Sequence, residues 1–324
     1  MADDASSTSA LAAAAESLAI DQVTGQVVSA LRGRGLRPIV LKGPSIARWL
    51  YDDGTVRPYE DVDLLVAPDQ VDAAGAVLAE RGYAPICLNS AEGELGGHAL
   101  EWVQRGWPTI DLHWTVHGVQ ASRERCWLEL SVRTEQLMVG GTAIEVLSPA
   151  ALAFNVVLHA VTSGTAHPKA LEDLARALRR ADLAAWHAAL DLATRLDALA
   201  PFGVGLRLVP EGQKLADALG IPRSGSVELV LRASSTWHTA LPFERVARAR
   251  GLGAKAAIVA REVFPTPAFI AIWFPQVSSR RGGVLIAYPY RLYWVVRNAP
   301  RGLAAWRRAR RTVAASSRMP ADPF

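Results

Sequence analysis

Asp61-Val62-Asp63-Leu64-Leu65-Val66 alternates acid with aliphatic and then turns wholly aliphatic. In a β-strand, residues two apart share a face and stand about 6.6 Å apart. Asp61 and Asp63 therefore lie on one face, and Val62, Leu64 and Val66 turn to a core. Two carboxylates at that separation repel by about 2.5 kcal/mol at an effective dielectric near 20. A divalent cation with oxygen ligands offsets this repulsion; the plainer reading is an open strand face carrying two solvated acids.

Upstream, Arg37 to Leu41 is a short aliphatic run between Gly35 and Gly43, read as a buried strand. It leads through Leu41-Lys42-Gly43-Pro44-Ser45 into a short helix. Such a strand–Gly–helix junction offers backbone N–H groups and the positive end of a helix dipole to a phosphate, although the same turn often serves only as a turn. Downstream, Asp69 is a candidate cap for a helix over 70–81, and Tyr83 to Leu88 reads as a strand. A glycine-rich turn and two further strands, 98–105 and 109–116, follow. In Thr109-Ile110-Asp111-Leu112-His113-Trp114, Asp111 and His113 share one face and the apolar residues the other. Asp111 supplies a third carboxylate, as a two-metal phosphoryl-transfer site requires.

In this order, the strand with Gly-x-Ser, the Asp-x-Asp strand and the later single Asp resemble the nucleotidyltransferase superfamily that includes polymerase beta. More narrowly, Leu41-Lys42-Gly43, Tyr51, Arg57, Asp61 to Val66, Gly82-Tyr83, Asp111-Leu112-His113-Trp114 and Leu147-Ser148-Pro149 resemble the uncharacterised bacterial nucleotidyltransferase group. The resemblance covers roughly residues 36–180. Pro44 departs from the usual Gly-Ser or Gly-Gly-Ser and removes one N–H from the cradle. The resemblance implies Mg2+ (or Mn2+) on Asp61, Asp63 and Asp111, and an NTP held by Gly43 and Ser45 with Lys42 and Arg57 as charge partners. It implies transfer of a nucleotide to a small-molecule, sugar or peptide acceptor, in the setting of natural-product or polysaccharide synthesis. His113, His159 and Asp173 are acceptor-side candidates, with structural, hydrogen-bonded roles as the alternative; Arg57 could instead pair with Glu60 or Asp53. A catalytically inactive nucleotide-binding regulator, or an antitoxin-like protein, is the competing reading.

The remainder of the 324 residues bounds these expectations. Half are hydrophobic and a fifth charged, which excludes a disordered chain. Two cysteines, Cys87 and Cys126, cannot make a disulfide framework or a four-cysteine metal site. An acidic N-terminus and apolar runs too short for a bilayer point to a cytoplasmic protein. The expected class is α+β, in four parts. A leader and helix (1–35) precede a nucleotidyltransferase-like mixed sheet (36–146). A helical domain (147–262) and an aromatic, proline-rich segment with an arginine-rich helix (263–324) follow. Residues 1–16 read as a frayed leader, with helical spacing beginning near Ala14. The last part holds ten arginines and one acid, a net +9 within a chain of net +4. That tail reads as a solvated helix, or as a contact for an acidic partner or an anionic membrane surface helped by Trp294 and Trp306. No recognisable nucleic-acid module accompanies it.

Overall fold

The computed structural model describes residues 2–86, 97–223, 225–234, 237–267, 269–270 and 283–316. Seven strands form one mixed sheet: β1 (Ile39–Val40), β2 (Asp61–Leu65), β3 (Ala84–Pro85), β4 (Ala99–Val103), β5 (Thr109–His113), β6 (Thr134–Val139) and β7 (Thr142–Leu147). Their order is β3-β4-β5-β2-β1-β7-β6. The β2–β5 and β1–β7 pairs run parallel and the others antiparallel. With the helices this is the α+β class that the sequence predicts.

Alternation sorts the strands into two faces. Val40, Val62, Leu64, Ile110, Leu112, Ile144 and Val146 join one buried cluster with Val23, Val27, Val28 and Leu31 of α1 (Ala2–Arg32) and with Ala74, Val77 and Leu78 of α3 (Val71–Glu80). The acids of β2 and β5 sit on the other face. That face is also covered in places, because Ile39, Leu65 and Leu147 are fully buried there. Between β1 and β2 lies α2 (Pro44–Leu50), and α4 (Arg123–Ser131) precedes the β6–β7 hairpin.

Three local expectations change. Helix α1 starts at Ala2 and includes the residues read as a frayed leader; the run from Ala10 to Ala15 has the composition that favours helix most. Asp69 does not cap α3, because Pro68–Gln70 forms a 3-10 turn and Gln70 takes the capping position. Arg57 pairs with neither Glu60 nor Asp53. Of the strand read over 83–88, β3 covers Ala84–Pro85, and Cys87 and Leu88 lie outside the described residues, as does most of the glycine-rich turn after them; Cys126 is buried as a free thiol.

After the sheet, α5 (Pro149–Ser163), α6 (Pro168–Arg180), α7 (Leu183–Arg195), α8 (Leu199–Leu206), α9 (Pro210–Ala218), α10 (Val227–Arg232), α11 (Trp237–Arg248), α12 (Leu252–Val263) and α13 (Gly283–Ser316) follow. Contacts group the chain into two compact units. One holds the sheet and residues 172–202, the other residues 160–171 and those from 203 onward. In the second unit Leu231, Ala240, Leu241, Ala305 and Ala309 form a small core. Gly302 lets α13 approach the Thr239 carbonyl of α11 where no side chain fits. In the described part of the arginine-rich segment one helix face is docked, where the Trp306 indole N–H donates to Glu244 Oε2 at 2.8 Å, while Arg301, Arg307, Arg308, Arg310 and Arg311 are exposed, as a solvated helix requires. Among the described residues no helix is long and apolar enough to cross a membrane.

The β6–β7 turn rests on Gly140, at φ 54°. A Cβ there would collide with the Asp21 carbonyl of α1. Gly140→Ala combines a left-handed backbone with that clash and is expected to cost about 2 kcal/mol or more, read as a lower urea midpoint with unchanged m-value.

Candidate active site

The register of β2 on β5 sets Asp63 opposite Asp111, Asp61 opposite Thr109 and Leu65 opposite His113. On the other side of β5, Glu101 of β4 lies opposite Asp111. Four acids and His113 therefore share one sheet face. The Asp63 side chain is 1% exposed, and its Oδ1 receives Lys42 Nζ at 2.6 Å. His113 Nε2 lies 3.0 Å from the same oxygen. An ionised carboxylate only accepts, so Nε2 carries the proton in this arrangement.

These contacts explain opposite electrostatic outcomes for two neighbouring acids. Burial alone would push the Asp63 carboxyl up, but Lys42 and His113 outweigh it and hold the group well below the usual carboxylate range. Asp111 has no such partners. Burial, then the charges of Asp63, Asp61 and Glu101, push it up to about 7 against the pull of Lys42. Its Oδ1 is buried with no hydrogen-bond partner, as is His113 Nδ1. Burial works against the Lys42 ammonium, yet the charges of Asp63, Asp61 and Asp111 raise it overall, so it stays a cation. Next to His113, the rings of His98 and His117 pack edge to face with centroids 4.9 Å apart. Burial and the neighbouring histidines push His98 down to about 3, which keeps it neutral.

The junction after β1 is held from both ends. Gly43 caps α2 at φ 62°, ψ −115°, and a Cβ there would press on the Tyr59 ring at 3.4 Å. Pro44 takes the first helical position, and the buried Ser45 hydroxyl donates to the Lys42 carbonyl at 3.1 Å. From α5, Asn155 Nδ2 donates to the Leu41 carbonyl at 3.0 Å. Tyr59 Oη donates to Asp21 Oδ1 at 2.6 Å, and Arg48 donates to Asp21 Oδ2 at 2.7 Å, so a buried acid of α1 anchors both α2 and the loop before β2.

Two of the sequence candidates are each other's partners. Arg57 Nε and Nη2 donate to Asp173 Oδ1 and Oδ2 at 2.8 and 2.6 Å, with side chains 3% and 0% exposed. Tyr51 Oη adds a bond to Asp173 Oδ1 at 2.8 Å. This is a brace between the loop before β2 and α6. Among the described residues, the acid and histidine donor atoms brought mutually close are those of Asp63, Asp111 and His113. Asp61 stands beside that trio on the same face. His159, half-buried on α5, is not part of it. Glu101, Asp21 and Asn155 were not singled out from the sequence. Alternation in 98–105 would have placed Glu101; nothing local marks the other two.

A family profile described as "Uncharacterised nucleotidyltransferase" matches residues 6–211. The chain belongs to this nucleotidyltransferase family. The matched residues include the whole sheet and every candidate residue above. Among solved structures, the nucleotidyltransferase is similar to the antibiotic-resistance factor ANT(2'')-Ia, with 15% identity and a TM-score of 0.38 over 53% of this chain and 90% of that one. It is also similar to an antigenic nucleotidyltransferase-like protein from Paracoccidioides brasiliensis, with 14% identity and a TM-score of 0.35 over 56% and 93% of the two chains. No curated protein matches the sequence.

Two stability predictions test this geometry. The raised Asp111 pKa means that the folded state holds a charge it would shed, so ionisation lowers stability progressively from about pH 4 to 7. Asp111→Asn should therefore stabilise the nucleotidyltransferase, with an advantage that grows over that range and levels off above it. On the order of 2 kcal/mol in urea unfolding at pH 8 is expected after allowance for solvent screening. Arg57→Ala or Asp173→Ala, each leaving a buried charge unpaired, should cost about 3–5 kcal/mol, while the double variant Arg57→Met/Asp173→Leu loses less than the sum.

Proposed function

We propose that this nucleotidyltransferase moves a nucleoside monophosphate from an NTP to a small-molecule, sugar or peptide acceptor, with Asp61, Asp63 and Asp111 as ligands of Mg2+ or Mn2+. The observation that carries the reading is the cross-strand pair Asp63–Asp111, whose buried Asp111 oxygen lacks any partner. That donor set suits a hard divalent cation, which takes oxygen ligands from carboxylates and substrate phosphates. When bound, such a cation supplies neutralisation of phosphate charge and activation of the attacking group.

The chain's own residues do the rest. Lys42, a cation paired with Asp63 and one-fifth exposed, draws the triphosphate in. Gly43 and the start of α2 offer backbone N–H groups to it, and Ser45 adds a hydroxyl once it turns from the Lys42 carbonyl. Asp111 positions the acceptor hydroxyl and helps to take its proton. His113 orients Asp63, and His159 lies on the acceptor side. Arg57 and Asp173 act as a brace that fixes the wall of the site, through each other and without touching phosphate.

One observation favours the inactive, nucleotide-binding alternative: Lys42 already neutralises Asp63, so the acidic face is tolerable without a metal. Calorimetry with each of the four NTPs, in Mg2+ and in EDTA, separates the readings when paired with pyrophosphate release over a panel of acceptors. Binding should require the metal and fall at least about 100-fold, or 2.7 kcal/mol, in Asp61→Ala/Asp63→Ala. Metal-independent binding with no pyrophosphate from any acceptor supports the inactive alternative.

A further inference from the structure

We infer that His113 is itself a metal ligand, completing a mixed nitrogen–oxygen site with Asp63 and Asp111 that prefers Mn2+ to Mg2+. The inference rests on the metal-dependent reading and names which ion it uses and through which atoms. One donor atom each from Asp63, Asp111 and His113 lies within 4.8 Å of the others. Donor atoms that close could share a single ion after small side-chain shifts.

The backbone makes the trio. His113 follows Asp111 by two residues on β5, so both point to the same face, and the parallel register brings Asp63 beside them. The His113 side chain is 5% exposed, and its Nε2 is directed at the site, 3.0 Å from Asp63 Oδ1. Asp111 Oδ1 has nothing to bond. Asp61, opposite Thr109, is outside the trio, so the third donor at this point is a nitrogen.

That nitrogen decides the ion. Mg2+ takes oxygen donors and gives up water reluctantly, whereas imidazole is a ligand of the first-row transition metals, and carboxylates suit Mn2+. With an ion bound, Nε2 would present its lone pair to the metal and the ring's proton would sit on Nδ1, which has no partner.

The test uses the full chain without nucleotide, titrated with MnCl2 and with MgCl2, and pulsed EPR of the bound Mn2+. Mn2+ should bind at least tenfold more tightly than Mg2+ and show nitrogen-14 coupling from a directly bonded imidazole. His113→Gln should weaken Mn2+ at least tenfold, leave Mg2+ within twofold and remove the coupling. Bound Mn2+ without nitrogen coupling in the unaltered protein overturns the assignment and needs no variant, so a misfolded His113→Gln leaves the test intact. Coupling that persists in His113→Gln, or an equal loss of both ions, overturns it as well. In those cases the metal-dependent reading survives. If neither ion binds with ATP or without it, both fall.

Discussion

The parallel pairing of β2 with β5 in a single register is the constraint on which the site depends. Strand side chains alternate, so slipping one strand by one residue would drive Asp63 or Asp111 into the Val–Leu–Ile core and lift Leu64 or Leu112 out of it. The apolar face enforces the register, and the polar face profits from it. Val62, Leu64, Ile110 and Leu112 are almost wholly buried against α1 and α3. At about 1.5–3 kcal/mol for each fully buried large aliphatic side chain, they outweigh the repulsion across the other face. The chemistry-bearing residues are held in place by residues that touch none of the chemistry.

The two faces also divide stability from use. Around Asp63 the charges are balanced by Lys42 and His113. Around Asp111 they are not: burial and three acidic neighbours outweigh the pull of Lys42. A fold selected for stability alone would place an amide or an aliphatic residue there. Such a local conflict is what functional sites impose and what the surrounding core offsets. The anchors beyond the cluster follow another logic. Asn155 on the Leu41 carbonyl and Asp21 on Tyr59 and Arg48 hold the backbone of the β1–α2 junction and so fix the positions of Lys42 and Gly43.

What was legible in the sequence was what is local. Acid–aliphatic alternation in 61–66 and 109–114 announced both strands, their faces and the three carboxylates, because a polar residue at every second position has no other economical geometry. Gly43 with Pro44 announced the start of α2. The β6–β7 hairpin was missed although Gly140-Gly141 marks its turn, because Glu135, Gln136 and Glu145 blur the alternation on either side. With it went the sheet order, since β7 lies beside β1 across more than a hundred residues of chain. Parallel neighbours leave no mark in either strand alone. For the same reason Arg57 and Asp173 were both picked out as polar residues of interest, while their use of each other, 116 residues apart, stayed hidden.

That pair has a consequence for how the molecule is made. A chain leaving the ribosome completes β1, α2 and β2 long before α6 exists, and throughout that interval the Arg57 guanidinium has no counter-charge with which to enter the interior. The brace between the loop before β2 and α6 cannot form until Asp173 has emerged and α6 has wound. Closure of the loop before β2 thus belongs among the late, high-contact-order events of folding. A half-synthesised chain can therefore own every acid of the cluster while the Arg57–Asp173 brace is still unmade.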